Sequence, residues 1–243
     1  MPTMLVVGAT SDIARATAKI FAKAGWDLIL TGRDTERLAT IAADIGVREE
    51  RGVVSLHYDI ADEKNRTSLW DSLETKPDAV LIAVGFLGDQ EKAKTDPELS
   101  EKITMLNYSG LLPLLIQVAE SFEERGSGSI IGISSVAGDR GRASNYTYGA
   151  AKAALSAYLS GLRNRLSAKG VQVLSVKPGY VKTSMTENME LPASLTAIPE
   201  EVGESIFKAV KGKKSVIYVK WIWRWIMLAI RSLPEFIFKK TKF

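Results

Sequence analysis

Residues 4–24 read MLVVGATSDIARATAKIFAKA, and this stretch decides the fold. An apolar run from Met4 to Val7 leads directly to Gly8 and then to a pattern of helical spacing from Asp12 to Ala24. A short continuous apolar run is typical of a strand buried on both faces. Because glycine adopts backbone conformations closed to other residues, the stretch predicts a strand, a tight turn and a helix whose first amides face a ligand.

The same alternation of apolar runs and helical patterns continues along the chain. We predict further strands at residues 27–31, 53–58, 79–84, 130–134, 171–177 and 215–219. Further helices are predicted at residues 34–45, 62–73, 97–124, 146–169 and 199–211. We therefore expect an α/β fold, a single doubly wound parallel sheet of the Rossmann type with helices on both faces and its ligand at the carboxyl ends of the strands. This domain is expected over residues 1–219, followed by an amphipathic tail over residues 220–243.

Composition excludes several classes of protein and site. The 243 residues are 46% hydrophobic and 25% charged, which argues against extensive disorder. Cysteine is absent and His57 is the single histidine, so we expect neither a disulfide framework nor a metal site. The start MPTMLVVG lacks the basic segment and long apolar stretch of a signal peptide, which predicts a cytoplasmic protein.

The first two strands suggest a dinucleotide. Where a GxxxGxG turn has three glycines, this chain has Gly8, Asp12 and Ala14, and Asp12 has the alternative role of a helix cap. The second strand ends in LTGRD, so Arg33 is placed to pair with a 2′-phosphate, and NADP(H) is favoured over NAD(H). The alternative is that Arg33 is a solvated turn residue. Asp59, after the third strand, is expected beside the adenine or as a cap of the next helix.

A second group of residues predicts proton transfer. Tyr148 and Lys152 are four positions apart on a predicted helix and share one face, and Ser135 lies in IGISSVAG before that helix. One substrate oxygen can meet all three side chains. A phenol of pKa near 10 needs a neighbouring cation to serve well near neutrality. The alternatives are a turn cap for Ser135, a surface pair for Tyr148 and Lys152, and a backbone-satisfying role in a helix for Asn107.

These motifs occur together in a recognisable order. Over residues 4–219 the chain resembles the short-chain dehydrogenase/reductase family, through Gly8, Asp59, Asn107, Ser135, Tyr148, Lys152 and KPGYVKT at residues 177–183. The resemblance implies reduction of a ketone to a secondary alcohol by hydride transfer.

Roles for individual residues follow from the resemblance. Tyr148 is the implied proton donor, Lys152 lowers the phenol pKa and holds the nicotinamide ribose, and Ser135 binds the substrate oxygen. Asn107 supports a water-linked proton relay. The implied cofactor-binding residues are Gly8, Ser11, Asp12, Ile13, Arg33, Asp59, Ile60, Ala83, Val84, Gly85, Tyr148, Lys152, Pro178, Gly179, Val181 and Thr183.

Two features bear on the substrate. The fourth strand ends in IAVG at residues 82–85 where the family usually has NNAG, which puts the details of cofactor docking in question. GATSDIA, GFLGD, YGAAKAAL and the aromatic, basic tail resemble family members that reduce a keto-sugar carried on a polyprenyl phosphate. The alternatives are a reductase of another apolar ketone, of acyl or steroid type, and a catalytically silent dinucleotide-sensing protein.

The tail, KWIWRWIMLAIRSLPEFIFKKTKF, is predicted to bind a membrane surface. Residues 221–233 are too short and too charged to span a bilayer, which needs about 20 mostly apolar residues. Tryptophan favours the interface and cations reach anionic headgroups, which suits lipid better than nucleic acid. The alternative is packing against the body or a second subunit, and a homo-oligomer is expected. The cations counted toward the membrane surface are Lys220, Arg224, Arg231, Lys239, Lys240 and Lys242.

Overall fold

The computed structural model describes residues 1–241, so the predicted tail cation Lys242 lies outside the described residues. The strands are β1 (Thr3–Val7), β2 (Asp27–Gly32), β3 (Val53–His57), β4 (Ala79–Ile82), β5 (Gly128–Ile133), β6 (Val171–Pro178), β7 (Tyr180–Val181), β8 (Thr196–Ala197) and β9 (Val216–Val219). The helices are α1 (Asp12–Lys23), α2 (Thr35–Glu49), α3 (Glu63–Ser72), α4 (Gln90–Ala93), α5 (Pro97–Asn107), α6 (Leu112–Arg125), α7 (Tyr146–Leu166), α8 (Pro199–Lys211), α9 (Ile222–Ser232) and α10 (Glu235–Phe238).

Seven strands form one parallel sheet in the order β3-β2-β1-β4-β5-β6-β9. The chain runs outward from β1 to β3 and then crosses back, so that β4 pairs with the opposite side of β1. This reversal opens a crevice at the carboxyl ends of β1 and β4, where ligands of such sheets bind. The prediction of a doubly wound Rossmann-type sheet is confirmed.

Helices cover both faces of the sheet. One buried cluster joins the sheet to α1, α2 and α8, and a second joins it to α3, α5, α6 and α7. The strands β1 and β4 at the centre are buried on both sides, which explains why their sequences are continuously apolar rather than alternating.

One predicted helix is wrong in its length. The pattern over residues 97–124 predicts a single helix, but the structure divides it into α5 and α6 around a 3₁₀ turn at Ser109–Leu111. Tyr108 leaves the helical region with φ −150°, and Pro113 stands in the first turn of α6. Proline lacks the amide that a continuous helix needs, which explains the break.

The tail folds onto the body near β9. Trp223, Met227 and Ile230 of α9 form a third buried cluster with Val136. The guanidinium of Arg140 donates to the carbonyl of Leu233 at 2.7 Å and stacks 3.7 Å from the ring centroid of Phe238. One face of the tail thus contacts the protein itself. Within residues 1–241, every helix is too short or too polar to cross a bilayer.

Candidate active site

A cavity of about 570 Å³ lies at the carboxyl edge of the sheet. Its wall contains all sixteen predicted cofactor-binding residues and three of the four predicted catalytic residues. The predicted residues that line it are Gly8, Ser11, Asp12, Ile13, Arg33, Asp59, Ile60, Ala83, Val84, Gly85, Ser135, Tyr148, Lys152, Pro178, Gly179, Val181 and Thr183.

The turn after β1 brings backbone to the floor of the cavity. Gly8 has φ +84°, and a Cβ there would stand 3.1 Å from the Val84 amide nitrogen. The Gly8 amide donates to the Thr31 carbonyl at 3.0 Å, which ties the turn to β2. Helical hydrogen bonds of α1 begin with Arg15 N to Ser11 O, and the amides of Ala9 and Ser11, in the turn, also donate to backbone carbonyls. The first amides of α1 have no helical partner, and such a helix start favours an anion.

Asp12 plays a role that the sequence did not indicate. Ser11 is the N-cap of α1, so the alternative of Asp12 as helix cap is not what the structure shows. The Asp12 carboxylate instead accepts from the amide of Ser184 at 2.9 Å and from its hydroxyl at 3.1 Å, and pairs with Arg15 at 3.2 Å. It connects the first turn to the loop after β7.

The far end of the cavity is cationic. Arg33 follows β2 and lines the cavity together with Arg37, a residue that the sequence analysis did not single out. The Asp34 side chain caps α2 by accepting from the Arg37 amide at 2.9 Å, which fixes the turn between the two arginines. Asp59 accepts from the Ala61 amide, while Asp62 is the cap of α3.

Ser135 is held in the extended turn after β5. It has φ −166°, and its hydroxyl oxygen accepts from the Ala137 amide at 3.1 Å. The 3₁₀ turn at Val136–Gly138 packs on α7, and a Cβ on Gly138 would lie 2.7 Å from the Ala153 amide nitrogen. Ser134 donates to the Lys152 carbonyl at 2.9 Å and bonds to Ser156 at 2.6 Å. These contacts fix the distance between Ser135 and the helix that carries Tyr148.

Burial dominates the acidity of Tyr148. It raises the pKa of the phenol to about 12, and a hydrogen bond with Ser135 acts in the opposite direction. The causes of this shift are burial and Ser135, and the lowering of the phenol pKa by Lys152 stays a prediction. The Lys152 ammonium lies 5.7 Å from the ring centroid, and burial disfavours its own charge. At neutral pH the phenol is therefore protonated and can donate.

Lys152 is a buried cation, with only 2% of its surface exposed. Its Nζ donates to the carbonyl of Ile133 at 3.0 Å and to that of Val84 at 3.4 Å. Burial lowers the pKa of the ammonium to about 8. One carbonyl ends β5 and the other follows β4, so Lys152 joins α7 to the carboxyl ends of these two neighbouring strands.

Asn107 is not in the cavity wall. Its side chain is fully buried, its amide donates to the carbonyls of Phe86 at 2.7 Å and Ile103 at 2.8 Å, and its oxygen accepts from the Phe86 amide at 3.2 Å. These contacts match the alternative given for Asn107 in the sequence analysis, in which its side chain satisfies backbone groups. These contacts engage the side-chain amide with backbone, and the proton-relay role implied for Asn107 stays a prediction.

The substrate side of the cavity comes from segments far apart in the chain. Trp223 of α9 lines it and donates from its indole nitrogen to the Leu195 carbonyl at 3.0 Å. Gln90 binds both the amide and the hydroxyl of Thr147, next to Tyr148. Met185, Met189 and Arg142 complete this side. None of these residues belongs to the motifs of the sequence, and only the aromatic tail gave a signal near Trp223.

Comparisons with known proteins give a consistent picture. A family model described as short chain dehydrogenase matches residues 2–193. An uncharacterized oxidoreductase of Mycobacterium tuberculosis is 34% identical over 240 residues, which cover 98% of this chain and 96% of that protein. Sulfoacetaldehyde reductase 2 of Chromohalobacter salexigens is 34% identical over 191 residues, covering 75% and 74%. A short-chain dehydrogenase from Sphingobium yanoikuyae, solved in complex with NADPH, has a TM-score of 0.84 at 24% identity over 97% of both chains.

Proposed function

Because the chain belongs to the short chain dehydrogenase family of oxidoreductases, we propose that it is an NADP(H)-dependent reductase that converts a ketone to a secondary alcohol. The observation that carries the proposal is the convergence of Ser135, Tyr148 and buried Lys152 on the cavity that the Gly8 turn also lines. A catalytically silent dinucleotide sensor has no need of this convergence.

The chain fits a dinucleotide at both ends of the cavity. The Gly8 turn lies too close to Val84 for any side chain, which leaves backbone amides to receive a pyrophosphate. Arg33 and Arg37 supply two guanidinium groups for a 2′-phosphate at the adenosine end. At the other end Lys152 is placed to hold the nicotinamide ribose. When bound, the cofactor supplies the hydride.

The residues of the chain supply the proton and fix the carbonyl. Ser135 donates a hydrogen bond to the carbonyl oxygen, and Tyr148 gives that oxygen its phenolic proton as charge develops there. Burial keeps Tyr148 protonated at neutral pH, since it raises the phenol pKa to about 12. A phenolate left after transfer is then stabilised by the nearby ammonium of Lys152.

For the substrate, we propose a keto-sugar on a polyprenyl phosphate, of the decaprenylphosphoryl-2-keto-erythro-pentose type. The resemblance of the sequence motifs supports this assignment. The substrate side also combines polar groups, Gln90 and Asn145, with the apolar side chains of Met185, Met189 and Trp223. Those apolar side chains equally suit another apolar ketone, which is the second candidate.

We also propose that the outer face of the tail binds a membrane surface, where a lipid-linked substrate resides. Trp223 and Met227 face the body, whereas Trp221 is 73% exposed, Trp225 56% and Leu228 53%. Phe236 and Ile237 extend this apolar surface. The exposed cations Arg224, Arg231, Lys239 and Lys240 lie along the same segment and suit anionic headgroups.

The experiment that tests the proposed reaction is cofactor oxidation with a ketone panel. The panel contains a short-chain polyprenyl-phosphoryl keto-pentose, acyl ketones and steroid ketones, each with NADPH and with NADH. We expect turnover with NADPH and with at least one ketone. Tight NADPH binding without oxidation by any ketone, measured beside an unrelated active reductase of the family, would contradict the proposal and support the silent sensor.

A further inference from the structure

The segment between the Ser135 turn and α7 carries three charged residues within four positions, Asp139, Arg140 and Arg142. It borders the substrate side of the cavity, because Arg142, Ser144 and Asn145 all line the wall there. A short loop that concentrates charge beside a catalytic group has to satisfy each charge, either within the protein or through a ligand.

Two of the three charges are satisfied inside the protein. The Asp139 carboxylate, whose side chain is 2% exposed, pairs with Lys177 and accepts from the Tyr218 hydroxyl at 2.7 Å. Arg140 donates to carbonyls of the tail and pairs with Glu235 at 2.9 Å. The one carboxylate of the loop and one of its arginines therefore anchor the loop to β6, β9 and the tail.

Arg142 differs from the other two charged residues of this loop. Its Nε is buried from solvent and makes no hydrogen bond within residues 1–241, and no carboxylate of the described chain lies within ion-pair distance of its guanidinium. Burial lowers the pKa of this partly exposed arginine, while Tyr180 and Asp139 act in the opposite direction without reaching hydrogen-bond distance. A cation held in this way costs free energy unless something binds to it. The Oδ1 of Asn145, three residues on, is likewise buried and unpaired within the described chain.

We propose that Arg142 is a binding subsite for an oxyanion of the substrate, a phosphate, phosphodiester or sulfonate group attached to the ketone that Tyr148 reduces. The guanidinium binds such oxygens through a planar pair of donors, which suits tetrahedral oxyanions. Asn145 Oδ1 accepts from a hydroxyl of the same molecule. The assignment rests on the proposed reductase function and adds a charged group to its substrate.

The dinucleotide does not account for this cation. In the proposed binding mode its pyrophosphate lies at the turn after β1 and its 2′-phosphate at Arg33 and Arg37, all of which line the cavity. Arg142 stands in the segment after β5 that also carries Ser135, on the catalytic side of the cavity. The anion that Arg142 binds therefore belongs to the second reactant.

The test uses three ketones with one carbon skeleton, 2-oxopropyl phosphonate, its monomethyl ester and its neutral dimethyl ester. Binding to the full-length protein saturated with NADP⁺ is followed by tryptophan fluorescence, because Trp223 lines the same cavity. Turnover with NADPH is measured separately. The variants are Arg142→Gln, Arg142→Lys and, as a matched loss of charge on the exposed surface of α3, Lys64→Gln.

We expect the wild type to bind the anionic ketones about 10-fold or more tightly than the dimethyl ester, the scale of a charge-assisted hydrogen bond. Arg142→Gln should abolish that preference, Arg142→Lys should restore part of it, and Lys64→Gln should keep it. Tighter binding of the monomethyl ester would indicate that the natural substrate is a phosphodiester. Tighter binding of the free phosphonate would indicate a phosphate monoester. Equal binding of charged and neutral ketones, or an unchanged preference in Arg142→Gln, would overturn the subsite. Because binding is read independently of turnover, an Arg142-dependent anion preference, combined with no NADPH oxidation by these ketones or by any ketone of the panel above, would contradict the reductase proposal and leave the subsite standing.

Discussion

Trp223 of α9 lies directly over the backbone of Gly179, in the turn that follows β6. A Cβ at position 179 would stand 2.0 Å from Cε2 and Nε1 of the indole, far inside van der Waals contact. The indole nitrogen at the same time donates to the Leu195 carbonyl at 3.0 Å. The tail, the turn after β6 and the loop before α8 therefore meet at one point in the cavity wall.

Gly179→Ala should displace Trp223 and destabilise the fold by about 1–3 kcal/mol, the usual cost of overpacking. Chemical denaturation followed by tryptophan fluorescence measures it. Gly161→Ala is the matched control, because a Cβ there meets nothing within 4 Å and α7 should gain about 0.5–1 kcal/mol. In a Trp223→Leu background the cost of Gly179→Ala should shrink. An unchanged cost in that background would mean that the two residues do not compete for space.

Tyr148→Phe should keep dinucleotide affinity and lower kcat by about 10²-fold or more, as expected for loss of a positioned general acid. The measurement pairs cofactor titration with steady-state turnover. Tyr146→Phe serves as control, since Tyr146 is 45% exposed two positions earlier on α7. Equal turnover in wild type and Tyr148→Phe would remove the proton-donor role.

Replacing both Arg33 and Arg37 by alanine should raise KM for NADPH by about 10- to 100-fold, the effect of losing charge-assisted hydrogen bonds to a 2′-phosphate. KM for NADH should stay near its wild-type value, since NADH lacks that phosphate. Lys23→Ala, an exposed cation at the end of α1, controls for net charge. A rise in KM that is the same for both cofactors would show that the arginines do not read the 2′-phosphate.

Lys152 should give the free energy of unfolding a pH dependence of defined sign. Burial lowers its pKa to about 8 from 10.5, so between pH 8 and 10 the unfolded chain binds more protons than the folded one. Stability from this group therefore rises with pH in that window, by up to about 1.4 kcal/mol per unit, and is lowest below pH 8. Between pH 8 and 10 the free energy of unfolding of the wild type should rise relative to that of Lys152→Met. Chemical denaturation at each pH measures both. For the control Lys169→Met, at an exposed position, the free energy of unfolding should change with pH as it does in the wild type. The same pH dependence in Lys152→Met would refute the cost of burying Lys152.

The membrane proposal is best tested on the outer face alone, because truncation after Val219 would also uncover the seat of Trp223. Trp221→Ser with Trp225→Ser should reduce flotation with anionic liposomes, and raised salt should reduce it further. Val47→Ser with Ile116→Ser removes two exposed apolar side chains elsewhere and should leave flotation unchanged. Undiminished flotation of the tail variant would count against membrane binding by this face.

Local pattern was sufficient for the sheet and for the side chains that depend on one element. The apolar runs of β1 and β4 indicate strands buried on both faces, and the four-residue spacing of Tyr148 and Lys152 places both on one helix face. Contacts between segments that are distant in the chain could not be predicted from local sequence pattern. The local sequence does not indicate that Asp139 forms an ion pair with Lys177. It also does not indicate that Trp223, rather than Trp225, lines the cavity. The engagement of Asn107 with Phe86 also depends on how α5 meets the end of β4.

The position of Trp223 has a consequence for biosynthesis. The turn after β1, the helix that carries Tyr148 and β6 are all synthesised before α9. In a nascent chain the turn after β1 can therefore form before Trp223 of α9 completes the wall of the cavity. Premature termination before α9 should then yield a protein that captures nucleotide and is unable to shield its reactants from water.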